Sequence, residues 1–316
     1  MAAVKTMCKK RPRRASFWWM RTTLLTAAVA LCACAPKSTV GVKVDAALDT
    51  LVPADTVMLV GTRLEALRKT PAYQNHLADR SIPQIDEFAN RIGIDPRKDL
   101  WELLYASNGR DGVLLGRGKF ADQEMEPKLE KEGARSFNYK GFNLVGNAKG
   151  AVWLINSSTA AVGEIPALES LIDQRGTSHG PPPALGAMMK DIPAEAQFWA
   201  VYAGGPVHLP FEANSNLGNL NKLVSLVQSG TLYFDLRDGL HGVVQGNCAN
   251  EDGAQQVQGA LKALVGLGRL SVPKDQPELA QVYDGIRVTE ESGRVRLYLD
   301  VPQAMVDKFL GLWLKP

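Results

Sequence analysis

Val52-Pro53-Ala54-Asp55 leads into the apolar run TVMLVG, and 140 residues later Ile192-Pro193-Ala194-Glu195 leads into AQFWAVYAGG. Both stretches are an apolar residue, proline, alanine and an acid, followed by a strand-like run and a closing glycine. Proline cannot donate to a strand ladder, so it stands at the entrance to a strand rather than within it. A strand entrance used twice restricts the chain to two copies of one plan, and the elements that follow each entrance repeat in order.

In the first half, a strand over 56–62 precedes helical material from Leu64 to Ile92, broken at Pro71 and Pro83. A hairpin is predicted from Leu103–Ser107 to Gly112–Lys119, then a charged helix Asp122–Glu132. Short strands joined by tight turns follow in FNYKGFNLVG and AVWLINSSTAAVG. A helix near Ile165–Gln174 closes the unit. The second half opens with Gln197–Ala203 and a predicted helix Leu217–Gln228. TLYFDL and LHGVVQGNC flank Arg237-Asp238-Gly239, a hairpin signal. Asn250 suits the cap of the next helix, with Glu251 and Asp252 in its first turn. That helix puts Ala254, Val257, Leu261, Leu264 and Val265 on one apolar face.

A last hairpin runs Ile286–Thr289 to Arg294–Val301. Val295, Leu297, Leu299 and Val301 there alternate with Arg296, Tyr298 and Asp300, the pattern of a sheet with one wet face. The final helix opens at Pro302 and carries Met305, Val306, Phe309, Leu310 and Trp313 as an apolar stripe. The expectation is an α+β fold of two related units, each an antiparallel sheet with helices packed on one face. Residues 48–178 form the first unit and 191–316 the second. The connector, 179–190, contains Pro181-Pro182-Pro183, which favours an extended, stiff chain.

The N-terminus carries Lys5, Lys9, Lys10, Arg11, Arg13, Arg14 and Arg21 and no acid before Cys34. The apolar or small run Thr22–Ala33 has twelve residues, against the roughly 20 that span a bilayer. A basic head before a short apolar run is a signal peptide, 1–33, leaving 34–47 as a tether. Arg13-Arg14 fits twin-arginine export poorly, because Ala15, Ser16 and Phe17 follow it. Leu31-Cys32-Ala33-Cys34 resembles the lipobox of bacterial lipoproteins. The resemblance implies cleavage before Cys34, diacylation of its thiol and acylation of the new amine. The alternative is an ordinary signal peptide, or a retained anchor, with Cys34 incidental. Cleavage would separate the two thiols, which disfavours a metal or redox pair. Ala35 rather than Asp follows the cysteine, which resembles the rule for outer-membrane sorting and a periplasm-facing domain.

Export changes the charge. The whole chain carries a formal +3, but loss of the seven basic residues leaves 29 basic against 33 acidic, or −4. No basic run interleaved with aromatics remains, so nucleic acid is excluded as a partner. Cys248 is then the one cysteine left unmodified, so no internal disulfide can form. It is read as a buried packing residue: no base stands beside it, and His241, seven residues away on one strand, faces the other way.

His76, His179, His208 and His241 lack ligand spacing; His76 lies three residues before Asp79, a pattern usual on a solvated helix. There is no HExxH, paired CxxC, EF-hand loop, Walker A or GxSxG signature, and no SxxK that precedes the other penicillin-binding motifs. Gly116-Arg117-Gly118 lies inside a strand and lacks a third glycine. Asp86-Glu87 and Glu290-Glu291 are adjacent pairs, and Glu124 and Lys128 stand four apart as a surface ion pair. The loop Gly204–Asn221, with His208 and Phe211, is read as a connector. No catalytic, metal or cofactor-binding residue is assigned, and no cofactor is implied.

The VPADT opening and its repeat resemble a class of bacterial exported proteins built on a duplicated unit; the resemblance implies no activity and transfers no site residue. The expected function is a non-enzymatic binding or interaction module of the cell envelope, attached to the membrane through acyl chains on Cys34 and meeting an envelope protein or polymer. The alternatives are an envelope hydrolase and a carrier of an apolar ligand between sheet and helices.

Overall fold

Trp199 and Leu59 mark where the two halves join. In the computed structural model, residues 41–120, 122–177, 180–204, 223–274 and 276–314 are described. The predicted signal peptide and Cys34 lie outside them, as do His179, His208 and Phe211 and most of the loop that carries the last two.

The first half begins with a short helix α1 (Ala46–Asp49), capped by the Asp45 carboxylate on the Ala47 N–H, and the strand β1 (Met58–Arg63). Helices α2 (Leu64–Leu67), α3 (Pro71–His76) and α4 (Pro83–Ile92) follow. The predicted breaks at Pro71 and Pro83 are helix starts, since a first-turn proline loses no needed N–H. β2 (Leu100–Ser107) and β3 (Gly112–Gly118) form the predicted hairpin, and α5 (Asp122–Lys131) follows it. Four strands come next: β4 (Arg135–Tyr139), β5 (Phe142–Asn147), β6 (Gly150–Asn156) and β7 (Thr159–Gly163). Lys140 and Gly141 both take positive φ, 49° and 88°, in the two-residue turn that suits a right-twisted hairpin. Helix α6 (Ile165–Asp173) ends this half.

Helix α7 (Pro183–Met189) occupies most of the expected Pro-rich connector, because Pro182 and Pro183 stand at its start. Then come β8 (Phe198–Ala203), β9 (Val227–Asp235) and β10 (Leu240–Cys248). The helix expected to reach Gln228 cannot do so: Val227 and Gln228 already belong to β9. Helix α8 (Glu251–Leu270) is capped by Asn250, whose Oδ1 accepts from the Gly253 N–H at 2.8 Å. A short helix α9 (Ala280–Asp284), the hairpin β11 (Arg287–Glu291) and β12 (Arg294–Val301), and helix α10 (Gln303–Trp313) complete the chain.

All strands pair antiparallel in one twelve-stranded sheet, in the order β11-β12-β10-β9-β8-β1-β2-β3-β7-β6-β5-β4. The two expected sheets are therefore halves of a single one, joined where Leu59 faces Val201 and Gly61 faces Trp199. Reading outward from this seam, β1-β2-β3-β7-β6 mirrors β8-β9-β10-β12-β11, and the hairpin β4–β5 is extra to the first half. The mirrored order is the spatial counterpart of the sequence echo.

Side chains alternate between two sheet faces. The face carrying Leu59, Leu104, Leu115, Trp153, Trp199 and Val201 is buried under α1, α6 and α7, and all six of these side chains are no more than 2% exposed. Each such burial stabilises by about 1.5–3 kcal/mol. On the opposite face, named here for Val60, helix α5 and Ile92 of α4 cover one end and α8 and α10 cover the other. Helices thus cover both faces of the first half and one face of the second. The uncovered face of the second half carries the predicted wet row, where Arg296 Nε donates to Gln245 Oε1 at 2.8 Å and Arg287 lies over the Tyr298 ring.

Candidate functional site

Below the buried Leu59 face, the last register position of the central strands turns polar. Arg117 pairs with Glu102, and Glu102 with Arg63. The Arg63 N–H donates to the Gln197 carbonyl at 2.7 Å, which carries the row across the seam. Arg63, Glu102 and Arg117 each stand two positions from the core residues Gly61, Leu104 and Leu115, so the alternation that builds the core also aims these side chains to the same side. A cleft of about 670 Å³ opens here. Its walls come from β1, β2, β3, α2, the stretch entering β8 and Arg237 after β9, with Asp45 at one side.

One irregularity shapes this cleft. The β2–β3 register slips between Leu100 and Glu102, so Trp101 is the extra residue of a bulge. A bulge re-aims a side chain that regular pleating would send to the other face. Trp101 thereby lines the cleft beside Glu102, with the Arg117 guanidinium 5.6 Å from its ring centroid.

Most polar groups in the walls have partners. Arg117 Nη1 donates to the Ser158 carbonyl, Ser158 Oγ and Thr159 Oγ1 at 2.6–2.8 Å. Its buried Nε lies 3.2 Å from Asp45 Oδ1, at ion-pair distance but without hydrogen-bond alignment. Lys69 pairs with Glu65 and Arg237 with Asp235. The buried Gln197 amide bonds the Glu195 carbonyl, Asp235 and the Leu236 N–H. Three groups retain capacity. Among the described residues, Glu102 Oε1 accepts only the Asp45 N–H, at 3.3 Å. Among the described residues Glu195 has no carboxylate bond, and the Arg63 side chain gives only Nη1, to the Ala194 carbonyl. Burial pushes the Glu102 carboxyl up, aided by the Asp45 charge, while Arg63, Arg117 and the Asp45 N–H oppose the rise.

The Val60 face carries a different surface. Val162, Leu114, Tyr105, Val60, Ala200, Leu232 and Val244 are successive cross-strand partners on β7, β3, β2, β1, β8, β9 and β10. Seven strands at about 4.8 Å spacing make a row roughly 29 Å long. Val162 is 42% exposed, Leu114 37% and Tyr105 36% on adjacent strands at one end of the row, and Val244 is 40% exposed at the other, while Val60, Ala200 and Leu232 between them are half-buried. Toward α8 the row deepens into an apolar cavity of about 330 Å³, walled by Leu232, Val244, Val257, Leu261 and Val295.

The residues singled out in the sequence are dispersed. His76 is not on a solvated face: its Nε2 lies 2.9 Å from Asp307 Oδ1, joining α3 to α10 across more than two hundred residues. His241 meets Asp300 on the next strand at 2.9 Å, on the opposite side of β10 from Cys248. Cys248 is half-buried beside Ala254, Val257 and Val295, and burial followed by the Glu290 charge raises its thiol pKa. Neither Asp86 nor Glu290 enters the cleft; Asp86 pairs with Arg97 at 2.6 Å. Among the described residues no three His, Cys, Asp or Glu side chains gather as a metal site, and no helix is long and apolar enough to cross a membrane. Sequence reasoning missed Arg63, Trp101, Glu102 and Glu195, because what unites them is strand register and a bulge. The visible signal was polar residues two positions from buried ones on several strands.

Compared by sequence, the chain matches no protein-family model and no curated protein. Compared by structure, it is similar to TP0453 in three crystal forms. Form III aligns with a TM-score of 0.50 at 10% identity, covering 85% of this chain and 99% of that one. Form I gives 0.45 at 10% identity over 85% and 98%, and form IV 0.45 at 8% over 84% and 96%. Identity at this level speaks to fold alone, and the α+β plan with its large antiparallel sheet is the common property.

Proposed function

We propose that the chain is a lipoprotein of the cell envelope, held to the membrane through acyl chains on Cys34, and that it works there as a non-enzymatic binding module. The observation that carries this reading is the apolar row on the Val60 face, four of whose members are more than a third exposed. Contiguous exposed apolar surface on a domain with a substantial core elsewhere is the usual mark of an interaction site. A tether running from Cys34 to the first described residues suits a domain that meets its partner near a membrane. Two or more acyl chains make such attachment stable, each buried methylene contributing about 0.8 kcal/mol.

A second reading, a carrier of an apolar ligand, is favoured by the 330 Å³ cavity between the row and α8, whose volume is at the lower end of the range for small-molecule sites, about 300–1,000 Å³. Photo-crosslinking in cells separates the two. A photoreactive residue replacing Leu114 or Val244 is expected to trap a discrete protein, while the same group at the exposed Glu87 traps none. Adducts of lipid mass alone, concentrated at Val244, would favour the carrier. Adducts no more frequent than at Glu87 would sink both readings. Attachment is read separately: the extracted protein is expected to begin at Cys34 with added acyl mass, lost in Cys34→Ser, and a chain that still begins at Met1 overturns it.

A further inference from the structure

The cleft at the Trp101 bulge is a built site that the apolar row does not use. Four basic residues (Arg63, Lys69, Arg117 and Arg237) and four acidic ones (Asp45, Glu65, Glu102 and Glu195) line it, so its formal charges balance. That balance disfavours a phosphate or other simple anion, which calls for surplus positive charge, and equally a bare cation. The walls are too polar for a lipid chain. What remains is a neutral ligand rich in hydroxyls, each of which donates and accepts.

The unspent bonding capacity matches such a ligand. Glu102 and Glu195 offer carboxylate oxygens to hydroxyl donors, and Arg63 retains N–H groups beyond its bond to Ala194. The bulged Trp101 supplies a flat apolar surface within reach of them, steadied by Arg117. An aromatic plate ringed by planar polar side chains suits a sugar, whose ring has an apolar C–H face and a polar rim. The volume of about 670 Å³ lies in the middle of the range for small-molecule sites, about 300–1,000 Å³.

We propose that this cleft binds a short saccharide, its apolar ring face against Trp101 and its hydroxyls held by Glu102, Glu195 and Arg63. The site lies on the Leu59 side of the sheet, opposite the apolar row, so either assignment can fail without the other.

The test uses the whole lipidated chain in detergent. It is passed over an array of mono- to tetrasaccharides, and every retained sugar is measured by isothermal titration calorimetry. At least one sugar is expected to bind, with Glu102→Gln weakening it by about tenfold or more, as loss of a bond to a charged group implies, and Trp101→Ala weakening it to a similar degree by removing the ring against which the sugar lies. The nearly isosteric Glu102→Gln is expected to unfold like the parent, which separates lost binding from lost structure. No retained sugar, or a sugar held equally well by both variants, overturns the proposal. Inorganic phosphate is titrated alone as the contrasting arm: phosphate binding lost in Arg63→Gln, with no sugar retained, would mark an anion site instead.

Discussion

Gly61 is glycine because of Trp199. A Cβ at Gly61 would fall inside the Trp199 indole, which is fully buried at the seam between β1 and β8. The ring fills the space that the missing side chain leaves, and its buried Nε1 has no hydrogen-bond partner among the described residues. Gly61→Ala is expected to destabilise by about 1–3 kcal/mol, the usual cost of overpacking a core. A lowered urea midpoint at unchanged m-value would register this, and an unchanged midpoint would show that the ring can move aside. Nothing in TVMLVG announced the constraint: a closing glycine reads as a turn signal, whereas its cause stands on another strand. His76 illustrates the same limit. Its partner Asp307 is far away in sequence, so spacing suggested a solvated helix where the structure has a clasp.

Elements were legible where local chemistry decides them. Thr70 and Pro71 start α3, Asn250 caps α8, and Ser292-Gly293 turns the last hairpin with φ of 53° and 78°. They were less legible where packing decides. The predicted apolar face of α8 is buried at Ala254 and Val257, but Leu264 is exposed, because only the first part of the helix lies over the sheet. Helix α10 is likewise placed by a contact no periodicity shows. Asp307 Oδ1 accepts from Gln303 Nε2 at 2.8 Å and meets His76, while Val306 packs with Ala72 and Val301. Burial pushes the Asp307 carboxyl up, but its bonds to His76, Gln303 and Asn75 outweigh that and leave it below the usual carboxylate range. A lowered folded-state pKa means stability that is present above the unfolded value of about 3.9 and is lost as pH falls through the folded one. Asp307→Ala is therefore expected to cost about 1–2 kcal/mol near neutral pH and progressively less in acid. Hydrogen exchange should show faster exchange across α10 and α3, with β4–β7 unchanged. Uniform acceleration throughout the sheet would deny the clasp a local role.

Across the whole molecule, the sequence echo foretold two copies of a plan but not how they join. Two separate sheets would each have needed their own protected edges, since an open edge strand is a template for aggregation. Joining β1 to β8 removes one edge from each half and leaves β4 and β11 at the ends of a single sheet. The join also builds the core: Trp199 and Val201 of the second half and Leu59, Leu104 and Ala106 of the first belong to one buried cluster. The cleft straddles the same line, with Arg63, Trp101 and Glu102 from one side and Glu195 and Arg237 from the other. This is why neither half, read alone, displayed a site. Residues 48–178 made without the rest would expose the seam edge of β1 and the apolar side chains that Trp199 and Val201 cover. That fragment, and 191–316 likewise, is expected to associate or to lack fixed tertiary structure, with near-ultraviolet circular dichroism much weaker than in the intact chain. Mixed in equal amounts, the two are expected to regain that signal by re-forming the β1–β8 pairing. If 48–178 alone is monomeric with native-like tryptophan dichroism, the seam is only a docking contact between self-sufficient units, and the cleft then arose where two finished domains happened to meet.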